Sequence, residues 1–181
     1  VGVSSPGNAP FLVEVQLGTM VGELLDEVVD DSVRPSIRAF HVGGPGGVSL
    51  GPDRFDVPLD YAALLDLGGQ LGTGGLALFD KTVCPIAFAR SVVSFCAEES
   101  CGTCPPCRIG TWALLDLLDR FEDGRARRSE MRRLEILCRH IAETSLCELG
   151  RKAPNPVTTG LRWIREVYEE HLDGHGCVAG R

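Results

Sequence analysis

The sequence predicts an α+β fold in two parts, and three observations predict it. Residues 1–80 hold short apolar runs separated by Gly and Pro. Residues 82–175 carry apolar side chains at helical spacing. Eight cysteines are spread unevenly, three of them clustered as CxxCxxC. The first pattern suits a small β-grasp (ubiquitin-like) domain over 1–80, and the second a four-helix bundle with a C-terminal tail over 81–181. The boundary falls near Lys81.

In the first part, Phe11, Val13, Val15 and Leu17 alternate with Leu12, Glu14 and Gln16, as a half-buried strand does. Gly18-Thr19 ends that run, and Val21, Leu24, Leu25 and Val28 make one short helical face. A second strand is expected over Ile37–Val42, closed by the loop Gly43-Gly44-Pro45-Gly46-Gly47, and a third over Leu76–Phe79.

The second part reads as four amphipathic helices. The first carries Ile86, Ala89, Val92, Val93 and Cys96 on one stripe. The second follows the clustered cysteines, with Ile109, Trp112, Leu115 and Leu118 inward. Ser129 can cap a third bearing Met131, Leu134, Leu137, Cys138 and Ile141. Thr158 or Thr159 can cap a fourth with Leu161, Ile164, Tyr168 and Leu172.

Length and composition narrow the classes. The chain of 181 residues can bury a real core. No stretch approaches the roughly 18–20 apolar residues of a membrane span. The start, VGVSSPGNAP, has neither the basic nor the apolar region of a signal peptide, and reads as a cut through a longer polypeptide or a processed product. A net charge of −7 argues against a general nucleic-acid or anionic-membrane partner. Arg125, Arg127, Arg128, Arg132 and Arg133 are the basic exception, read as a solvated loop and helix face, with a docking patch as the second reading. Cysteine content is too low for a disulfide scaffold, so a reducing compartment with thiolate-bound metal is expected.

The cysteines carry the chemistry. Cys101, Cys104 and Cys107 lie in ESCGTCPPCRIG, and Cys147 lies in SLCELG, well beyond the helix expected after the first run. A cubane iron–sulfur cluster takes four thiolates, one per iron. A CxxCxxC turn can supply three, and the fourth must come from elsewhere in the fold. Structural zinc more often takes two separated CxxC pairs. The set therefore points to iron–sulfur, with a zinc-stabilised interaction module as the alternative and a metal-free bundle as a third reading. Pro105 and Pro106 suit a stiff turn entering the first helical positions. The helix that follows would aim its positive end and free N–H groups at an anionic cluster. Arg108 is either a solvated charge or a group that tunes the cluster.

Other motifs fail on context. Gly72-Thr73-Gly74-Gly75-Leu76-Ala77 matches GxGxxA, but a dinucleotide fingerprint needs a strand before it and a helix after it, and here a strand follows. His41, His140, His171 and His175 are isolated, with His140 and His171 expected at surface or interhelix positions. No catalytic residue set can be argued. Cys96 and Cys138 fall on apolar stripes as small core residues. Cys84 sits at a helix start, where structural use is expected, and Cys177 is unassigned.

With these residues in hand, the chain resembles the C-terminal part of the NADH-binding flavoprotein subunit family of respiratory complex I. That family includes the flavin subunits of NAD-linked formate dehydrogenases and NAD(P)-linked hydrogenases. The matching runs are PLDYAALLDLGGQLGTGGLALFD (58–80), ESCGTCPPCRIGT (99–111), SLCELGRKAPNPV (145–157) and the helix ending EVYEEHL. The resemblance implies an SLBB β-grasp domain followed by a [4Fe–4S]-binding helical bundle, with Cys101, Cys104, Cys107 and Cys147 as cluster ligands. It further implies an electron-transfer module that passes single electrons from a reduced flavin to partner iron–sulfur subunits. Among those partners is a ferredoxin-like subunit, or the smaller iron–sulfur subunit that accompanies the flavoprotein in the family. FMN and NAD(H) are expected only in a separate N-terminal domain, so this chain alone is not expected to turn over NADH. A cytoplasmic setting, peripheral on the inner face of a membrane complex, goes with that resemblance. Pro105 stands where Thr is common in the family. The tail HGCVAGR departs from the usual Cys-Pro at Val178, and leans toward the hydrogenase and formate-dehydrogenase relatives.

Overall fold

The computed structural model describes residues 1–30 and 33–174. His175 and Cys177 lie outside the described residues. Residues 1–80 build a five-stranded mixed sheet from β1 (Gly2–Ser4), β2 (Phe11–Leu12), β3 (Ala39–Val42), β4 (Val48–Leu50) and β5 (Gly75–Phe79). Its strand order is β2-β1-β5-β3-β4, with β1 and β5 parallel and every other pair antiparallel. Helix α1 (Val21–Val28) turns Val21, Leu24 and Leu25 into the core with Val3, Phe40, Leu50 and Leu76. Helix α2 (Tyr61–Asp66) is capped by Asp60, whose Oδ1 accepts the Ala63 N–H at 2.7 Å.

The strand expected over 11–17 shrinks to Phe11–Leu12. Its pairing with β1 joins Leu12 to Gly2 and Phe11 to Val3, and the Val13 N–H still bonds the carbonyl of Val1 beyond the assigned strand. The second and third strands form close to the expected places. β1, β4 and α2 are additional; β1 and β4 are too short to leave a period in the sequence.

The helical half holds α3 (Pro85–Glu98), α4 (Pro105–Glu122), α5 (Arg128–Thr144), α6 (Glu148–Lys152), α7 (Asn155–Trp163) and α8 (Arg165–Glu169). The described residues thus form six helical segments where four were expected. Thr158 and Thr159 do not cap the last helix. It starts at Asn155, and Thr159 lies buried inside it, its Oγ1 donating to the Asn155 carbonyl and accepting the Ser49 N–H. The chain then breaks at Ile164 (φ −136°, ψ 44°), which folds α8 back and sets Tyr168 on the bare face of Gly160. Ser129 is not the cap of α5 either. Arg127 holds that position, with its N–H bonded to Glu130 Oε2, which also takes Arg120.

One expected stripe is rotated. Leu115 and Leu118 are buried on α4, but Ile109 and Trp112 are 60% and 56% exposed; Cys107, Gly110, Thr111 and Leu114 face inward instead. Gly110 explains the choice, because a Cβ there would come 2.7 Å from Ile141 of α5, so only a glycine face lets the two helices close.

Two apolar cores result, one around the sheet and one among the helices, and Ala39 and Phe79 of the sheet pack into the second. Polar bonds also tie the halves. Asn155 Nδ2 donates to the carbonyls of Gly46 and Gly68, and Arg38 pairs with Glu170. No helix among the described residues is long and apolar enough to cross a membrane.

Candidate metal centre

Two loops meet at one end of the helices. The first leaves α3 at Glu99 and runs through Ser100–Cys104 into α4. The second leaves α5 at Ser145 and runs through Leu146 and Cys147 into α6. Cys104 and Cys147 occupy the position just before their helices, both in extended backbone (φ −100° and −123°). Pro105 and Pro106 fill the next two positions of α4, where a missing N–H costs nothing, and Cys107 follows on the buried side. Gly102, at φ +77°, makes the turn between Cys101 and Cys104, a conformation that disfavours any side chain. Arg108 Nη1 donates to the Gly102 carbonyl at 3.0 Å and pins that turn, a structural use its charge alone did not suggest.

The remote cysteine loop reaches the cysteine turn through two close approaches. The backbone N–H of Leu146, next to Cys147, is directed at the Cys104 thiol. With the Cys107 N–H, it lowers the Cys104 pKa from the ordinary thiol value. Gly150 of α6 lies against Cys107; a Cβ at Gly150 would stand 3.0 Å from the Cys107 Cβ. Cys101 is lowered as well, first by the Thr103 hydroxyl, whose oxygen lies 3.3 Å from its sulfur, then by the Thr103 N–H. Cys104 and Cys107 are buried, while Cys101 and Cys147 are exposed.

The remaining described cysteines differ in kind. Burial, and secondarily the charge of Cys107, pushes the Cys96 thiol up to about 11, and burial pushes Cys138 up to about 12. Both are core residues, as their stripes predict. Cys84 is buried at the start of α3, 3.4 Å from His171 Nε2, while His171 Nδ1 donates to the Val167 carbonyl. His171 is therefore an interhelix residue and His140 a surface one. His41 is buried in β3 between Ser49 Oγ and the Gly44 carbonyl.

Three groups at this end carry no signal in the sequence pattern. Ser100 Oγ sits 3.3 Å from Cys107 Sγ; Ser145 Oγ is buried with no hydrogen-bond partner; Gly150 supplies the notch that Ser145 and Cys107 border. A hydroxyl's burial and orphaning leave no mark in a linear sequence, although the small residues flanking each cysteine run are a trace. Among the described residues, no three His, Cys, Asp or Glu side chains gather around a point as the shell of a single ion would. The thiols of Cys101 and Cys104, held toward ionisation by the Thr103 hydroxyl and by backbone N–H groups, are donors of the kind that an anionic iron–sulfur group takes. The GTGGLA run keeps the order that excludes a dinucleotide fingerprint, since β5 begins at Gly75 and no helix follows the glycines.

Residues 87–171 match the family described as the NADH-ubiquinone oxidoreductase-F iron–sulfur binding region. The F-type subunit of the NADH-quinone oxidoreductase of Streptomyces coelicolor is 36% identical over 97% of this chain and 38% of its own length. The NADP-reducing hydrogenase subunit HndC of Solidesulfovibrio fructosivorans is 34% identical over 93% of this chain and 34% of its own. A chain in the crystal structure of an air-oxidized NAD+-reducing [NiFe]-hydrogenase superposes with a TM-score of 0.77 at 28% identity, over 94% of this chain and 29% of that one. The chain thus spans between a third and two fifths of the length of these curated relatives.

Proposed function

We propose that the chain, which matches the NADH-ubiquinone oxidoreductase-F iron–sulfur binding region family over residues 87–171, is an electron-transfer module of an NADH-linked oxidoreductase. Cys101, Cys104, Cys107 and Cys147 are its [4Fe–4S] ligands. Residues 1–80 form an SLBB-type β-grasp domain, for which the β2-β1-β5-β3-β4 order with a parallel central pair is the support. Residues 81–181 form the cluster-bearing helical domain. The module accepts single electrons from a reduced flavin held outside this chain. It delivers them to partner iron–sulfur subunits, either ferredoxin-like or of the smaller kind that accompanies the flavoprotein. The setting is cytoplasmic, peripheral on a membrane complex where the relatives are of the quinone-reducing kind.

The observation that carries this reading is the meeting of the two cysteine loops, where the N–H of Leu146 turns to Cys104 beside Cys147. A bound cluster supplies one-electron redox chemistry. The chain's own residues supply the rest. Backbone N–H groups and the Thr103 hydroxyl favour ionised thiolates before metal arrives. Cys104 and Cys107 lie away from water, and Arg108 holds the turn that spaces Cys101 from Cys104. Anaerobic purification tests the assignment: iron and acid-labile sulfide near four each per chain, with a dithionite-bleachable brown colour, are expected. A colourless protein carrying stoichiometric zinc would establish the interaction-module alternative.

A further inference from the structure

The hydroxyls around Cys107 raise a question that the ligand set leaves open. Ser145 is 2% exposed, and its Oγ has no hydrogen-bond partner. A buried hydroxyl without a partner is unfavourable, so native proteins seldom keep one unless a group, ion or water completes it. The residue is not free to turn away. Its N–H bonds the Ile141 carbonyl at 3.1 Å and closes α5, while its own carbonyl takes Arg151 Nε at 3.0 Å. With the backbone fixed at both ends, the side chain faces the notch at Gly150. A Cβ placed there would be 2.7 Å from Ser145 Oγ and 3.0 Å from the Cys107 Cβ. The hydroxyl and the base of the Cys107 side chain therefore border the same small space.

Ser100 comes from the other loop and is already committed. Its Oγ accepts the Gly102 N–H at 3.3 Å, which leaves its hydroxyl proton for Cys107 Sγ, also at 3.3 Å. Cys107 thus has one serine in place and a second, unpartnered, on the opposite loop.

We propose that Ser145 is a positioning residue for the iron–sulfur cluster, donating its hydroxyl proton to sulfur at the Cys107 corner and thereby raising the reduction potential. The inference rests on the ligand assignment above. A hydrogen bond to a cluster sulfur stabilises the more negative, reduced state, so removing the donor favours the oxidised one. Thr144 is its internal control, a neighbouring exposed hydroxyl already bonded to the His140 carbonyl.

The test uses the full chain, purified anaerobically as wild type, Ser145→Ala and Thr144→Ala. Iron and sulfide content, the midpoint potential by dithionite titration followed by electron paramagnetic resonance, and couplings to exchangeable protons in H2O and D2O are measured. Ser145→Ala is expected to hold a full cluster at a more negative midpoint potential, and to lose one exchangeable-proton coupling. Thr144→Ala is expected to match wild type in all three. Full loading of Ser145→Ala with wild-type potential and couplings would overturn the proposal while leaving the ligand assignment intact. A wild-type chain that binds no iron and sulfide would overturn the assignment itself, and the proposal with it. Should Ser145→Ala fail to fold, Ser145→Thr and Ser145→Val decide, since they share a shape and only the first keeps a hydroxyl donor: Ser145→Val is expected at the more negative potential, and equal potentials in the two would overturn the role of Ser145.

Discussion

Gly150 has no side chain where one would lie 3.0 Å from the Cβ of Cys107. That missing methyl lets α6, which follows Cys147, close on α4, which follows Cys104. A methyl in Gly150→Ala would also come within 2.7 Å of the Cβ and Oγ of Ser145. Overpacking of this kind costs about 1–3 kcal/mol. The substitution is expected to lower the denaturation midpoint and to reduce iron content per chain. Unchanged iron and stability in Gly150→Ala would show that the two loops can separate without loss.

Cys147→Ser is expected to lose cluster about as fully as Cys104→Ser, despite the two helices that separate them along the chain. Each thiolate holds its own iron, so the loss of any corner exposes one. Iron and sulfide analysis of both variants checks this. Full iron in Cys147→Ser alone would remove that residue from the ligand set.

Cys96→Ala and Cys138→Ala are expected to keep the cluster. Both thiols are buried and raised well above neutrality, so neither is a ready thiolate. Each truncation is expected to cost about 1 kcal/mol, a drop of roughly 2–4 °C in Tm for a chain of this size. Iron loss with unchanged helical content in either variant would mean that the ligands are misassigned.

His41 gives the fold a pH dependence. Burial lowers its pKa from 6.5 to about 4, against the weaker opposing effect of the Gly44 carbonyl. The unfolded chain therefore binds a proton more readily than the folded one between those values. The stability from a neutral His41 is full above the unfolded value and is lost as pH falls toward the folded one, up to roughly 3 kcal/mol in all. Urea midpoints across that window should fall for wild type and fall less steeply for His41→Asn. Parallel pH profiles for the two would assign the loss to carboxylates.

The isolated chain is expected to pass no electrons from NADH to ferricyanide, while dithionite reduces it and air reoxidises it. The GTGGLA match to a nucleotide fingerprint runs into β5, so the helix N-terminus that would hold a pyrophosphate does not follow it. Measurable NADH turnover by the purified chain would revive that loop as a nucleotide site.

The helices are legible in the sequence wherever one face is apolar over several turns, as along α3 and α5. Their ends are less so. Ser129 and Thr159 have the right chemistry for caps, but Glu130 reaches back to Arg127, and Thr159 is taken by Ser49 of the sheet. The outward turn of Ile109 and Trp112 depends on Gly110 meeting Ile141, a contact between helices that periodicity along one helix cannot register.

The sequence by itself determined which thiols are on offer as donors. Three thiols in a CxxCxxC turn plus one remote cysteine are a statement about residue type and spacing, and local chemistry at Pro105, Pro106 and Gly102 shapes the turn without outside help. Only the tertiary structure decided what surrounds those thiols. The Leu146 N–H on Cys104, the orphaned Ser145 and the notch at Gly150 bring the second loop onto the first, and the Ser100 hydroxyl meets Cys107 only once that turn is closed. Such contacts arise from the packing of α4, α5 and α6 against one another, and packing is set by the whole core rather than by any one stretch of chain.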